Sequence, residues 1–145
     1  MKVKILPSKT SGEVSAPPSK SFAHRYLIGS VLSRGKCVIK NIADSDDISA
    51  TLSCIEQLGG SVTKDGNTVT VIPTNEKQIE NAVFDCKESG STLRFFIPVV
   101  LATGAKNCTF SGSERLLARG IKEYEKLFEN SDVTINSDEK SIEVN

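Results

Sequence analysis

Two stretches of the chain carry closely spaced apolar residues, and both stretches predict helices. HRYLIGSVLSRG (24–35) and LRFFIPVVLATG (93–104) align residue for residue, with each position of the second lying 69 residues after its counterpart in the first. Arg25 is matched by Arg94, for example, and the closing Gly35 by Gly104. This agreement predicts an internal repeat rather than two unrelated helices.

The segments that follow each helix also agree. Alternating apolar and polar residues in CVIKNI (37–42) and NCTFSG (107–112) predict short strands. Apolar residues three or four positions apart then predict a second helix in each copy, at Ile48, Leu52, Ile55 and Leu58 and at Ile121, Tyr124, Leu127 and Phe128. A hairpin closes each copy, one in 61–73 around Asp65-Gly66 and one with a weaker turn signal in 132–144.

Each copy therefore reads helix, strand, helix, strand, strand, and such units bury their apolar faces against each other. The predicted fold class is α/β (α+β), built by duplication. We assign 1–14 to an opening strand region, 15–80 to the first repeat unit and 81–145 to the second. Chance similarity between amphipathic patterns is the alternative, which the shared order of elements disfavours.

Composition narrows the class of protein. The 145 residues are enough for one domain with a real core, and 18 basic residues balance 18 acidic ones, so nothing suggests a nucleic-acid coat. The four cysteines form no Cys-x-x-Cys pair, which favours free thiols in a reducing cytosol and no metal site. There is neither a signal peptide pattern nor an apolar run long enough to span a membrane. We expect a cytoplasmic protein without a cofactor.

Polar and basic residues gather where the two repeated helices begin. SAPPSKSFAHR (15–25) contains Lys20 and Arg25, and KESGSTLRFF (87–96) contains Gly90 and Arg94. Ser19 or Ser21 is expected to cap the first helix, and Ser89 or Ser91 the second. Cations at a helix N-terminus oppose the helix dipole, whereas a bound anion removes the conflict.

A third cluster, GSERLLARGI (112–121), adds Arg115 and Arg119, which would share one face of a helix. Taken alone, each arginine is better interpreted as a solvated surface residue than as a ligand-binding residue. Together, the three clusters predict a site for a small ligand with several negative groups, phosphate and carboxylate above all. We interpret His24 as a surface or packing residue and not as a catalyst.

In the same order along the chain, APPSKSFAHR, SDDISATL, ESGSTLRFF and GSERLLARGI resemble four motifs of the enolpyruvyl transferase family, and within it of the EPSP synthases. The resemblance runs essentially from end to end. It implies an inside-out α/β barrel fold made of repeated units, of which this chain would hold the N-terminal portion as an incomplete domain. It also implies two small-molecule substrates, shikimate 3-phosphate and phosphoenolpyruvate.

The resemblance implies roles for particular residues. Lys20 would touch both substrates, Ser21 and Arg25 would hold shikimate 3-phosphate, and Gly90 and Arg119 would hold phosphoenolpyruvate. Positions near the site are matched by Asp46 and Arg94. Family members often have asparagine where this chain has Glu88, so the chain departs from the family pattern at that position.

The implied reaction transfers the enolpyruvyl group of phosphoenolpyruvate to the 5-hydroxyl of shikimate 3-phosphate and releases phosphate. The catalytic acid and base are expected outside this chain, although Asp44, Asp46 and Asp47 are available carboxylates. We therefore expect the chain alone to be inactive. Surface left by the missing unit is expected to favour self-association or a crystal contact.

Three alternatives remain open. The first is the related transferase that acts on a UDP-amino sugar. That enzyme usually has a cysteine in the loop matching GSERLLARG and an asparagine after its lysine, whereas this chain has no cysteine in that loop and has Ser21 after Lys20. The chain could instead be a non-catalytic anion-binding or assembly module of the same fold. RNA binding through a cyclase-like relative is more distant, because the net charge is zero.

Overall fold

The computed structural model describes residues 2–4, 6–74 and 79–145, so positions 1, 5 and 75–78 of the predicted regions 1–14 and 15–80 lie outside the described residues. The elements in chain order are α1 (Lys20–Val31), β1 (Cys37–Ile39), α2 (Asp46–Gln57), β2 (Ser61–Asp65), β3 (Thr68–Ile72), β4 (Val83–Asp85), α3 (Gly90–Thr103), β5 (Cys108–Ser111), α4 (Glu114–Leu117), α5 (Lys122–Phe128), β6 (Ile135–Ser137) and β7 (Ile142–Val144).

This order confirms the predicted mixed α/β class. From α1 to β3 it is the predicted helix, strand, helix, strand, strand. The second copy contains two elements that the pattern missed, the strand β4 before α3 and the single-turn helix α4. Residues 2–4 and 6–14 form no strand, and the assignment of 1–14 to an opening strand region stays a prediction. A strand needs a partner for its backbone groups, and neither sheet includes this segment.

The strands form two sheets. One has the order β1-β3-β2 with antiparallel neighbours, and the other has the order β4-β5-β7-β6, in which β4 and β5 run parallel. Both predicted hairpins are confirmed as the antiparallel pairs β2 with β3 and β6 with β7. In the first hairpin Asp65 pairs with Thr68, so the turn is Gly66-Asn67, and Gly66 has a φ of 53° that glycine adopts without strain.

The core lies where α1, α2 and α3 pack against each other and against the inner faces of the sheets. Leu27 of α1, Ile55 of α2 and Phe96 of α3 are completely buried. Phe84 of β4 stacks on Phe110 of β5 with ring centroids 5.0 Å apart. Each such side chain contributes about 1.5–3 kcal/mol by leaving water, so these contacts fix how the three helices are placed.

The predicted apolar stripe around α5 is only partly correct. Ile121, just before the helix, is completely buried and Tyr124 is half-buried, but Leu127 is 70% exposed. A helix of seven residues contacts its neighbours along one narrow line, and the packing against β6 decides which apolar positions that line includes. The periodicity of the apolar residues alone does not specify which of these positions are buried.

Candidate functional site

A serine caps the N-terminus of each of the three packed helices. Ser19, Ser45 and Ser89 each accept a hydrogen bond from the backbone N–H three residues further on, at 3.4, 3.2 and 3.2 Å respectively. Of the predicted alternatives, Ser19 and Ser89 are therefore the caps. Each cap satisfies one of the N–H groups that a helix start leaves unpaired, while the others stay free to meet a ligand.

A surface cavity of about 340 Å³ lies at the N-terminus of α3. Its lining residues are Asp47, Glu88, Gly90, Ser91, Arg94, Phe95 and Arg119. A Cβ atom placed on Gly90 would lie 3.0 Å from Nη1 of Arg94 and 3.3 Å from Nη1 of Arg119. The two guanidinium groups therefore converge on a backbone position that lacks a side chain.

Neighbouring groups hold Arg94 near Gly90, and the turn after α4 places Arg119 beside it. Arg94 donates from Nη2 to the carbonyl of Gly120 at 3.4 Å, and Tyr124 donates its hydroxyl to the carbonyl of Arg94 at 2.8 Å. Arg119 lies beyond the end of α4 at Leu117. The expectation that Arg115 and Arg119 share a helix face is therefore wrong, because the helix ends before Arg119 and the turn that follows carries it toward α3.

Lys20, the first residue of α1, forms an ion pair with Asp47 in the first turn of α2. The two side chains are 55% and 28% exposed, so the pair is open to water and stabilises the fold little. An anion could thus compete with Asp47 for the ammonium group. Asp47, rather than the predicted Asp46, lines the cavity, and Asp46 is an exposed residue at the start of the same helix.

Arg25 reaches the edge of the cavity through Phe95. Its guanidinium carbon lies 5.2 Å from the centre of the Phe95 ring, within the range of a cation–π contact. Its Nη1 donates to the backbone carbonyl of Ser21 at 2.8 Å. Arg25 and Ser21 are both exposed, so groups of both remain accessible from solvent.

The charges of the cavity are mixed. Arg94 and Arg119 face Asp47 and Glu88, and Lys20 at the margin balances Asp47. A larger cavity of about 680 Å³ lies between α4 and the β6–β7 turn, but Glu114, Asp138 and Glu139 outnumber Lys140 in its lining, which makes it less suitable for an anion. The smaller cavity is therefore the better candidate site.

His24 lies beneath the site and is only 1% exposed, in agreement with its interpretation as a packing residue. Its Nδ1 is 2.8 Å from Oγ1 of Thr51 in α2. Burial lowers the pKa of His24, and the nearby Lys20 and Arg25 lower it further, while Asp47 acts in the opposite direction. The imidazole is therefore neutral at pH 7.

Sequence reasoning named Lys20, Ser21, Arg25, Gly90, Arg94 and Arg119. The structure brings Gly90, Arg94 and Arg119 together in the cavity and attaches Lys20 and Arg25 to lining residues. Sequence reasoning missed Phe95, which reads as one more apolar helix residue, and the polar residues buried under the helix starts. Serine and threonine inside an apolar helical pattern were the available signal.

Among residues 2–4, 6–74 and 79–145, no group of three His, Cys, Asp or Glu side chains is placed to hold a metal ion. None of the helices within these ranges has the length and hydropathy needed to cross a membrane.

Comparison with known proteins gives consistent matches. The family model described as EPSP synthase (3-phosphoshikimate 1-carboxyvinyltransferase) matches residues 6–145. A 3-phosphoshikimate 1-carboxyvinyltransferase of Clostridium novyi is 40% identical over 140 residues, covering 90% of this chain and 32% of the relative. One from Clostridium botulinum is 41% identical over 141 residues, covering 90% of this chain and 31% of the relative.

Solved structures support the fold. An EPSP synthase from Acinetobacter baumannii superposes with a TM-score of 0.74 at 17% identity, over 92% of this chain and 31% of that one. At this identity the likeness speaks for the fold alone. The chain spans about a third of the length of the curated relatives it matches.

Proposed function

Because the chain belongs to the EPSP synthase family, we propose that it forms part of the active site of a 3-phosphoshikimate 1-carboxyvinyltransferase. The reaction would join the enolpyruvyl group of phosphoenolpyruvate to the 5-hydroxyl of shikimate 3-phosphate, with release of phosphate. The observation that carries this proposal is the convergence of Arg94 and Arg119 on the bare backbone of Gly90 at the start of α3.

Phosphoenolpyruvate is assigned to this cavity. Its phosphate and carboxylate groups match two guanidinium groups, which bind such oxyanions through paired hydrogen bonds. Gly90 allows the ligand to approach the free N–H groups at the N-terminus of α3, where the helix dipole favours negative charge. The carboxylate of Glu88 would repel the ligand, so it must point away from the ligand when the ligand binds.

Shikimate 3-phosphate is assigned to the neighbouring start of α1. Lys20, Ser21 and Arg25 lie within the first two turns of this helix, whose first turn has no acidic residue. A phosphate bound there would accept hydrogen bonds from Lys20 and Arg25 and from the hydroxyl of Ser21. Lys20 also contacts Asp47 of the cavity, so it can serve both substrates.

The cations would contribute positioning and charge stabilisation. Holding the 5-hydroxyl near the reacting carbon of phosphoenolpyruvate makes the attack effectively unimolecular, and cations stabilise the charge that develops on the phosphate. The reaction also needs a proton donor for the methylene carbon and a base for the hydroxyl. We assign neither role to a residue of this chain, and we expect no turnover from it alone.

The test is a calorimetric titration of the chain with shikimate 3-phosphate, beside Lys20→Ala and Arg25→Ala. Lys64→Ala is the matched control, because Lys64 also pairs with an aspartate, Asp44, but lies outside the site. We expect saturable binding that both site variants weaken about tenfold or more, since each removes a charged hydrogen bond. The control should bind normally.

Binding that is unaffected by Lys20→Ala and Arg25→Ala would contradict the assignment. A UDP-amino sugar serves as the competing ligand, and tighter binding of it than of shikimate 3-phosphate would favour the related transferase. Phosphate release from a mixture of both substrates, at a rate near that of a full-length relative, would refute the expectation that the chain alone is inactive.

A further inference from the structure

A chain of buried hydrogen bonds joins the three helices beneath the candidate site. His24 Nδ1 of α1 lies 2.8 Å from Thr51 Oγ1 of α2, which lies 2.8 Å from Thr92 Oγ1 of α3. Thr92 donates to Ser89 Oγ at 2.7 Å. All four side chains are at most 1% exposed. We call these four residues the helix-start network.

The network touches the backbone of the site directly. The main-chain carbonyl of Asp47 accepts from Thr51 Oγ1 at 3.1 Å and lies 3.4 Å from Thr92 Oγ1. The side chain of Asp47 lines the cavity and pairs with Lys20. Ser89 is the cap that immediately precedes Gly90. The network therefore joins the first two turns of α1, α2 and α3, the turns that also carry Lys20, Asp47 and Gly90.

Burial makes this geometry specific. A buried hydroxyl or imidazole that loses its partner cannot turn to water, so the three helices keep the spacing at which each group is satisfied. Apolar packing alone would allow small shifts between helices at little cost. An anion held between groups from different helices is sensitive to such shifts.

We propose that His24, Thr51, Thr92 and Ser89 are positioning residues that set the relative placement of the three helix N-termini and thereby the affinity of the site for its anionic ligand. The identity of that ligand rests on the proposed function. The positioning itself does not, because it concerns the placement of α1, α2 and α3 with or without a ligand.

The hydrogen bonds of the network determine which ring nitrogen of His24 carries the proton. The proton of Thr92 is used in the bond to Ser89, so the single hydroxyl proton of Thr51 is shared between Thr92 Oγ1 and the carbonyl of Asp47, and His24 donates from Nδ1 to Thr51. Nε2, which is buried without a hydrogen-bond partner among the described residues, then carries only a lone pair. Protonation would place an N–H there without a partner among the described residues; the charges of Lys20 and Arg25 disfavour it, whereas Asp47 favours it.

The test uses isosteric variants of the full chain. Thr92→Val removes the hydroxyl and keeps the shape, and Thr92→Ser keeps the hydroxyl. Thr103→Val removes a hydroxyl from the other end of α3, where it bonds the carbonyl of Val100 within the same helix. Two properties are measured for each variant: the affinity for shikimate 3-phosphate, and the relative orientation of α1, α2 and α3 from amide residual dipolar couplings.

We expect Thr92→Val to weaken binding about fivefold or more and to alter the orientation of α3 relative to α1 and α2. Thr92→Ser should restore both properties, and Thr103→Val should change neither. Nitrogen-15 spectra of His24, the only histidine in the chain, should show the Nδ1-protonated tautomer.

A folded Thr92→Val variant with wild-type couplings would overturn the proposal, whatever its affinity. Should the wild-type chain not bind shikimate 3-phosphate, the ligand assignment of the proposed function fails, and the couplings still decide whether the network positions the helices. An Nε2-protonated tautomer of His24 would also contradict the network as described.

Discussion

Replacing Gly112 by alanine should destabilise the chain and disturb the site together. Gly112 lies between β5 and α4, where a Cβ atom would approach the backbone carbonyl oxygen of Lys87 to 2.7 Å and Cδ2 of Leu116 to 2.7 Å. The Leu116 side chain can rotate away, but the Lys87 carbonyl accepts a hydrogen bond from the N–H of Ser113 at 2.8 Å and is held in place. Ordinary contact begins near 3.4 Å, so the two loops must separate by about 0.7 Å.

The expected cost is about 1–3 kcal/mol of unfolding free energy, the usual range for forcing an extra carbon into a packed site. For a chain of this length, each kcal/mol lowers Tm by about 2–4 °C. The loop of Lys87 leads to Gly90 and the loop of Ser113 leads to Arg119, so separating the loops should also weaken anion binding.

Urea denaturation followed by circular dichroism measures the change, and Gly29→Ala is the matched control. Gly29 is exposed within α1 and a Cβ there meets nothing within 4 Å. Alanine is the better helix former by about 0.5–1 kcal/mol, so this variant should be more stable than the wild type. A Gly112→Ala variant as stable as the wild type would refute the steric argument.

Three further predictions follow from single contacts. Burial lowers the pKa of His24, so just below pH 6.5 the unfolded chain binds a proton at this residue and the folded chain does not. The free energy of unfolding should therefore fall as the pH drops from 6.5 toward the folded-state pKa, and His24→Asn should flatten this part of the pH profile in urea melts. The hydrogen bond to Cys54 and burial raise the pKa of the Cys86 thiol, which makes this thiol unreactive. Iodoacetamide should therefore alkylate the partly exposed Cys37 first, as measured by mass spectrometry, and early alkylation of Cys86 would contradict this. Phe95→Leu should weaken shikimate 3-phosphate binding about two- to fivefold by removing the ring under Arg25, whereas Phe95→Tyr should not; equal affinities would show that the ring does not position Arg25.

The sequence by itself determined the mixed class, the order of elements in the first unit and both hairpins, and it narrowed two of the helix caps to a pair of serines each. These features depend on local physics: the spacing of apolar residues, the φ that Gly66 adopts, and the ability of Ser19 and Ser89 to accept from a nearby N–H. The motifs also indicated the family and most of the basic residues around the cavity.

Tertiary structure decided which residues of each motif meet. Asp46 and Asp47 are equivalent as sequence, and only the packing of α2 between α1 and α3 makes Asp47 the partner of Lys20. Arg119 approaches Gly90 because α4 ends at Leu117, which a spacing of four residues does not reveal. His24, Thr51 and Thr92 form a network because three helices bring them within 2.8 Å of one another in turn, contacts between residues 27 and 41 positions apart. Periodicity describes one element at a time, whereas such contacts depend on how elements are placed in the common core.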